Sequence, residues 1–208
     1  MIKIGKNCRI HPTALINPDG DISIGDNVLI GAYSLIGFDR EDLPVKIENN
    51  VVLDARSTLY GGVNLKQGAK IRNGVFIREN TVIGEKTSIG TYTCIEGNTT
   101  IGSLVSIFSQ CHITQFSQID NEVFIAPFFS PTNDPRMAYR RFKPEEKGVT
   151  IRKGVRIGIS VSTLPGITIG KNAFIAARAM LTRDVEENAI MRGFPAKKVG
   201  EVPPEERL

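Results

Sequence analysis

The chain has 208 residues and a hydrophobic content of 41%, which suits one folded domain and excludes a disordered chain. It has no run of about 18 apolar residues, and its first residues lack an apolar signal segment, so we expect neither a membrane span nor secretion. The net charge of +4 is compatible with an anionic ligand and too small to indicate nucleic acid binding.

The cysteine and histidine counts restrict the chemistry further. Cys8, Cys94 and Cys111 are an odd number without the spacing of metal ligands. This argues against a disulfide framework and favours a reducing, cytoplasmic location. Because His11 and His112 are the only histidines, a site built on three histidine ligands is excluded, and we expect no metal.

Large aliphatic residues recur at every sixth position. From Ile47 to Ile125 no step of this row is missed, and the count resumes at Ile151. A second row of small or β-branched residues lies four positions after the first, and Phe129 breaks it. Thr163 is the one polar residue where the aliphatic row resumes.

This period fits short strands and excludes a helix. Six residues advance a helix by about 600°, so the aliphatic side chains would face three directions. In a strand, even offsets keep side chains on one face, and three strands joined by turns make a triangular coil of about 18 residues. Coils stacked about 4.8 Å apart would bury both rows. The repeat therefore predicts one domain of about nine coils over residues 1–185, with a tail over 186–208.

The repeat is interrupted between residues 127 and 148. This segment carries two phenylalanines, an Asn-Asp-Pro-Arg turn and a basic cluster that includes Arg136 and Arg140. A stack of similar coils has no distinct active site of its own, and long loops in compact domains often carry functional residues. We expect this loop to protrude from the coils and to pack against a neighbouring subunit.

The six-residue period resembles that of the hexapeptide-repeat acyltransferases. The resemblance implies an all-β, left-handed parallel β-helix with one protruding loop and a short C-terminal tail. The left hand comes from the resemblance alone, since the general crossover rule predicts the opposite hand. It also implies a homotrimer with each site in a groove between two subunits.

Three C-terminal segments, IGISVSTLPGITIG, IAARAMLTRDV and RGFPAKKVG, resemble the signature of the acetyl-CoA enzymes of this superfamily. The resemblance implies acetyl-CoA as cosubstrate, with pantetheine contacts at Ile159 and Ala177, which lie one coil apart. It places Thr182, Arg183 and Lys197 near the adenosine diphosphate end, together with Lys198. The tail would thus complete the coenzyme site.

The histidine bases of two related groups are missing. In the sugar O-acetyltransferases a loop histidine precedes a proline, where this chain has Asn133-Asp134-Pro135. In the acyltransferases of lipid A assembly the catalytic histidine corresponds to Gln115. The remaining candidate is His112, which the repeat places on the outer surface beside Gln115. Three roles are open for it: a base, a substrate hydrogen-bond donor or a plain surface residue.

The loop motif TNDPR resembles a narrower group that N-acetylates amino sugars carried on a nucleotide diphosphate. A neutral amine is already nucleophilic, so orientation and oxyanion stabilisation would suffice without a strong base. On this interpretation His112, Asn133 and Asp134 orient or deprotonate the amine, while Asp134 has the alternative role of capping its turn. The substrate-binding residues would be Gln115, Arg136 and Arg140.

Two other functions stay open on the sequence. One is O-acetylation of a sugar or small alcohol with His112 as the base, and the other is a non-catalytic structural β-helix. Of the cysteines, Cys8 and Cys111 lie in the inward row and are expected in the core. Cys94 lies outside that row and has no histidine beside it in sequence, so we do not expect a nucleophile there.

Overall fold

The structure is a computed structural model that describes residues 1–137 and 145–208. It consists of short strands separated by turns, with one 3₁₀ turn at Pro204–Glu206. In chain order the strands are β1 (Ile2–Ile4), β2 (Arg9–Ile10), β3 (Leu15–Ile16), β4 (Ile22–Ile24), β5 (Leu29–Ile30), β6 (Leu35–Ile36), β7 (Val45–Ile47), β8 (Val52–Leu53), β9 (Thr58–Leu59), β10 (Asn64–Leu65), β11 (Lys70–Ile71), β12 (Phe76–Ile77), β13 (Val82–Ile83), β14 (Ser88–Ile89), β15 (Cys94–Ile95), β16 (Thr100–Ile101), β17 (Ser106–Ile107), β18 (His112–Ile113), β19 (Gln118–Ile119), β20 (Phe124–Ile125), β21 (Ser130–Pro131), β22 (Thr150–Ile151), β23 (Arg156–Ile157), β24 (Ser162–Thr163), β25 (Thr168–Ile169), β26 (Phe174–Ile175), β27 (Met180–Leu181), β28 (Ala189–Gly193) and β29 (Ala196–Glu201).

Every third strand pairs in parallel, so the chain winds around three faces. The first face runs from β1 to β25 in nine strands, and the second runs from β2 to β26 and continues into β28 and β29. The third face is divided into a six-stranded sheet, from β3 to β18, and a three-stranded sheet of β21, β24 and β27. Partners such as Ile77 and Ile95 lie one full coil apart in sequence, as the period predicts. The expected left-handed parallel β-helix is confirmed.

Both rows of the repeat form the core. The aliphatic row from Ile47 to Ile125 is buried throughout, with the small row buried at the corners. Removing this apolar surface from water is the main stabilising term of the fold. The turns need residues that tolerate positive φ, and asparagines such as Asn80 (φ 53°) and Asn98 (φ 54°) occupy several of these positions.

Polar members of the inward rows differ in how their hydroxyl groups are satisfied. Thr87 Oγ1 donates to the carbonyl oxygen of Gly102 at 2.7 Å and accepts from the N–H of Val105 at 3.1 Å. Thr163 is fully buried, and its Oγ1 has no hydrogen-bond partner among the described residues. A buried hydroxyl without a partner is destabilising, so this one position weakens the core.

The loop leaves the coil later than the period predicts. Phe129 is fully buried in the place of a small residue, and β21 continues the third face through Pro131. The coil gives way to the loop at Asn133, whose carbonyl oxygen accepts from the N–H of Lys147 at 2.9 Å. Residues 127–132 therefore belong to the β-helix, and the described loop begins at 133.

The C-terminal tail forms a hairpin that closes one end of the core. Strand β28 adds in parallel to β26, and β29 returns antiparallel to β28. Ala189 and Met191 of β28, Ala196 of β29 and Val202 directly after it are buried. Within the ranges that the structure describes, no helix is both long and apolar enough to cross a membrane.

Candidate functional site

The third face brings Cys94 and His112 together on its outer surface. The two residues are direct partners of β15 and β18, while their neighbours Ile95 and Ile113 pair inside the core. Because strand side chains alternate, Cys94 and His112 both face outward. Cys94 is half-buried, and the side chain of His112 is 47% exposed.

Glu96 holds the imidazole from the coil below. Its Oε1 lies 3.3 Å from His112 Nε2, and its Oε2 accepts from the backbone N–H of Gln115 at 2.9 Å. The backbone contact fixes the carboxylate, and the carboxylate in turn orients the ring. Gln115 thus belongs to the cluster through its backbone.

These contacts determine the charge of His112. The hydrogen bond with Cys94 is the largest cause that raises the pKa of His112, to about 10, followed by the hydrogen bond with Glu96, while burial opposes both. The hydrogen bond between His112 and Glu96 is also the main cause that lowers the pKa of Glu96. At neutral pH the ring therefore carries a proton and acts as a hydrogen-bond donor.

The sheet of the third face is interrupted directly above His112. Strands β18 and β21 stack, yet they belong to separate sheets. Pro131 in β21 has no N–H to donate to a ladder, which accounts for the break. The loop leaves the coil two residues later, so the irregular part of the β-helix lies next to His112.

The loop base lies over Gln115. Asn133 follows Gln115 by one coil in sequence, and its carbonyl oxygen binds the N–H of Lys147. Gly148 comes so close that a Cβ there would lie 2.6 Å from the carbonyl oxygen of Gln115. His112, Gln115 and Asn133 are therefore gathered at one corner of the β-helix.

The side chain of Asp134 caps the turn of the loop. Its Oδ1 accepts from the backbone N–H groups of Arg136 at 2.8 Å and Met137 at 3.0 Å. This is the capping arrangement that the sequence left open beside a catalytic one. Arg136 is exposed on the loop, and the predicted substrate contact Arg140 lies outside the described residues.

The two predicted pantetheine residues stack at a corner between the second and third faces. The carbonyl oxygen of Ile159 accepts from the N–H of Arg178 at 2.8 Å, and both Ile159 and Ala177 are exposed. The coils approach closely here, because a Cβ on Gly158 would lie 2.6 Å from the nitrogen of Ala177. The corner offers a narrow, backbone-lined surface to an extended ligand.

The predicted phosphate residues lie elsewhere on the last coil. A pocket of about 270 Å³ is lined by Arg183 and Lys198, with acidic and apolar residues between them. Lys198 forms ion pairs with Glu186 at 2.9 Å and Glu201 at 3.2 Å, which raise its pKa. Thr182 and Lys197 are exposed beside this region. Within one chain, the pocket and the Ile159 corner are separate surfaces.

Two residues of the cluster were missed by sequence reasoning. Cys94 was excluded because it has no histidine near it along the chain, and Glu96 was not considered. The period contained the signal, since positions one coil apart in sequence become neighbours on one face. Cys94 and His112 have this spacing, and the register shows that Cys94 does lie beside a histidine in the fold.

Known proteins resemble parts of this chain. A family profile described as "Hexapeptide repeat of succinyl-transferase" matches residues 21–39, 44–79 and 148–183. A Saccharomyces cerevisiae protein named as a candidate acetyltransferase is 39% identical over 88 residues, 40% of this chain and 45% of its own length. Chloramphenicol acetyltransferase of Klebsiella aerogenes is 39% identical over 74 residues, 35% of each chain. The chain thus spans less than half the length of these curated relatives.

A solved structure shares the stacked-coil fold. The UDP-N-acetylglucosamine acyltransferase from Campylobacter jejuni superposes with a TM-score of 0.66 at 20% identity, over 93% of this chain and 75% of that one. At this identity the likeness shows the fold. The repeat, the stacked coils and the matched segments together make the chain similar to the hexapeptide-repeat acyltransferases.

Proposed function

We propose that this protein is an acetyl-CoA-dependent N-acetyltransferase whose acceptor is an amino sugar carried on a nucleotide diphosphate. The observation that carries the choice of an amine is the state of His112. Cys94 is the register partner of His112 and Glu96 Oε1 lies 3.3 Å from the ring; together they raise the pKa of His112 to about 10, so the ring favours its protonated form and is a poor base towards a hydroxyl group. An amine acceptor needs no such base.

The surface near the last coils fits an extended thioester. The close coils at Gly158 expose backbone at Ile159 and Ala177, where hydrogen bonds to the amides of a pantetheine arm can form. Arg183 supplies positive charge for phosphates at the hairpin end, and Lys198 joins it by exchanging its ion pairs with Glu186 and Glu201 for a phosphate in this proposal. Thr182 and Lys197 are further phosphate contacts in this proposal.

The chemistry at His112 is orientation and charge stabilisation. The amine attacks the acyl carbon, and the positive charge of the His112 ring stabilises the oxygen that becomes negative. Glu96 keeps the ring in place through its 3.3 Å contact. In this proposal Asn133, at the loop base, holds the amine or the neighbouring sugar hydroxyl groups.

The loop provides the acceptor side. Arg136 is exposed there and can meet the diphosphate or a sugar carboxylate, and we assign the same role to Arg140. Asp134 shapes the turn that presents Arg136, because its carboxylate caps the backbone of that residue. Gln115 lines the floor below the loop.

The proposal includes a homotrimer with sites between subunits. Exposed aromatic rings support it: Phe108 and Phe124 pack 5.1 Å apart on the second face at 45% and 43% exposure, with Phe128 nearby. Exposed apolar patches of this kind mark contact surfaces. Light scattering of the full chain should give three times the chain mass, and a monomer would contradict the trimer.

The reaction class is tested by thiol release from acetyl-CoA with paired acceptors. UDP- and dTDP-linked 3-amino and 4-amino sugars are compared with the same sugars carrying a hydroxyl group. We expect turnover with an amino sugar alone. Turnover with the hydroxyl sugars would favour O-acetylation, and a chain that binds no acetyl-CoA would favour a structural β-helix.

A further inference from the structure

A cavity of about 330 Å³ opens on the second face, midway along the β-helix. Arg72 lies at one end of it and Phe108 at the other. The residues between them that carry hydroxyl groups are Ser88, Thr91, Ser106 and Ser109. Ligand sites usually measure about 300–1,000 Å³, so this cavity suits one ring rather than a whole nucleotide sugar.

The strand register of the second face explains why the cavity forms there. Ser88 and Ser106 are direct partners in β14 and β17, and both face outward because each is followed by a buried isoleucine. Larger residues flank them along the face, since Lys70 pairs with Ser88 and Phe124 pairs with Ser106. Two small side chains between two large ones leave a depression.

The cavity lies on the same corner as the two predicted pantetheine residues. One row of residues follows this corner, each one coil after the last: Thr91, Ser109, Pro127, Ile159 and Ala177. The carbonyl oxygens of the first four accept backbone N–H groups of the next coil at 2.8–3.3 Å. Ser109 therefore lies two coil spacings, about 10 Å, from Ile159. A pantetheine arm that passes Ala177 and then Ile159 from the hairpin end points towards Ser109.

The walls of the cavity suit a sugar ring. A Cβ on Gly90 would lie 2.5 Å from the nitrogen of Ser109, the same close approach that Gly158 makes at the coenzyme end. Phe108, on a coil between these two glycines, is 45% exposed and packs against Phe124 at 5.1 Å. A sugar has an apolar face for an aromatic ring and hydroxyl groups that exchange hydrogen bonds with serine and threonine.

Arg72 provides positive charge at the other end of the cavity. Its Nη1 lies 3.4 Å from Oδ2 of Asp54, one coil earlier, and its side chain is 45% exposed. An exposed ion pair of this length contributes little, so the guanidinium can exchange it for a phosphate. Lys70, two residues earlier, is a second exposed cation on the same coil.

We propose that this cavity holds the sugar ring of the acceptor, and that Arg72 selects for the diphosphate attached to that ring. The proposal rests on the acetyltransferase function above and locates its acceptor. The amine lies at the Ser109 end, where the thioester arrives from Ile159 and where His112 follows three residues later on the same coil. The diphosphate lies at the Arg72 end, two coil spacings or about 10 Å away. Arg136 of the loop is then left for a carboxylate on the sugar.

The charge is tested by steady-state kinetics of the full chain with UDP- and dTDP-linked amino sugars and with the free amino sugars. Arg72→Gln should raise the KM of the nucleotide-linked acceptor about tenfold, since it removes a charged hydrogen bond to phosphate. The constants for acetyl-CoA and for the free amino sugar should not change. Lys66→Gln is the matched control, because Lys66 lies on the same coil and pairs with Glu48, one coil earlier, at 2.8 Å. It should leave every constant unchanged.

The cavity itself is tested by filling it. Ser106→Leu should lower kcat/KM for both kinds of acceptor by at least about tenfold, because a displaced sugar ring misaligns the amine. The dissociation constant of acetyl-CoA should stay the same. Thr100→Leu, at an exposed outward position on the first face of the same coil, is the matched control and should have no effect. Circular dichroism checks that each variant is folded, and Ser88→Leu serves if Ser106→Leu is not.

The outcomes separate this site from the proposed function. Unchanged acceptor constants in Arg72→Gln and Ser106→Leu, in a chain that acetylates amino sugars, would overturn the site and leave the function in place. If no amino sugar is acetylated, titration calorimetry with the nucleotide-linked sugars decides. Binding that Ser106→Leu abolishes would support the cavity and contradict acetyl transfer, whereas no binding, or binding that Ser106→Leu leaves unchanged, would overturn the cavity as well. Equal losses in Arg72→Gln and Lys66→Gln would overturn the selective role of Arg72.

Discussion

Glu96 and His112, which are separated by 16 residues in sequence, meet across one coil boundary at 3.3 Å. The second carboxylate oxygen of Glu96 is bound by the backbone N–H of Gln115, so the acid is anchored at one end and orients the ring at the other. The carboxylate of Glu96 is one of the groups that stabilise the charged imidazole, so His112 is protonated before any substrate binds.

The pKa of His112 should be measured near 10, above its ordinary value of 6.5, because Cys94 and Glu96 both stabilise the charged ring. Glu96→Gln removes the carboxylate charge and should lower this pKa, and Cys94→Ser should lower it too. Titration by NMR, with the His112 signal assigned through His112→Gln, checks the shift. An unchanged titration in Glu96→Gln would contradict the pairing.

The same shift fixes how the contact affects stability. A group whose pKa is raised on folding stabilises the fold fully below its unfolded value, about 6.5, and this contribution disappears as the pH rises through about 10. The difference in stability between the unaltered chain and His112→Gln should therefore shrink between these limits. Urea unfolding of both chains at several pH values measures this difference in stability. The neighbouring cation Arg78 also lowers the pKa of Glu96.

The rate with an amino-sugar acceptor should rise as the amine loses its proton and fall once the pH passes about 10. The fall follows from His112 giving up the proton with which it stabilises the developing oxyanion. Profiles of kcat/KM against pH reveal both limbs. If His112 acted as a general base instead, the rate would continue to rise through pH 10, where the ring becomes neutral.

Arg183→Gln should raise the KM for acetyl-CoA about tenfold with little change in kcat, because a hydrogen bond between an exposed guanidinium and a phosphate is worth about 1.5 kcal/mol. The effect should weaken with added salt. Arg9→Gln, on the first coil at the opposite end, is the matched control and should leave the KM unchanged. Equal responses in the two variants would contradict a phosphate site beside Arg183.

Thr163→Val should raise the free energy of unfolding by about 1 kcal/mol, because it removes a buried hydroxyl without a partner and preserves the side-chain shape. Thr87→Val is the matched control, since its hydroxyl makes two backbone hydrogen bonds. That variant should lose about 1 kcal/mol. Urea denaturation of both compares them directly, and destabilisation by Thr163→Val would show that its hydroxyl is satisfied.

The fold could be predicted almost completely from the sequence, because one physical rule governs every coil. Each inward position must fill a defined volume, and isoleucine repeated at every sixth residue shows where those positions are. The rule failed at Phe129 and Pro131, which the pattern assigned to the loop. A phenylalanine ring and a proline also fill the interior, so the coil continues beyond the last residue of the aliphatic six-residue pattern.

The site was harder to predict because its contacts run between coils. Cys94 looked isolated along the chain and lies beside His112 in the fold. For Asp134 the sequence left a reacting role and a turn cap open, and the structure shows its carboxylate binding two N–H groups of its own turn. The capping hairpin was missed for a third reason, because its antiparallel strands have no six-residue period.

Because the coils stack at a constant spacing, the number of coils between two outward residues determines the distance between them. The separation between the hairpin that closes the core and the coil that carries His112 is a whole number of identical steps, each about 4.8 Å. Insertion of one complete coil would preserve every inward contact and still move His112 one step, about 4.8 Å, further from the hairpin. The number of coils therefore sets the distance between two outward positions of this fold, and the core stays unchanged.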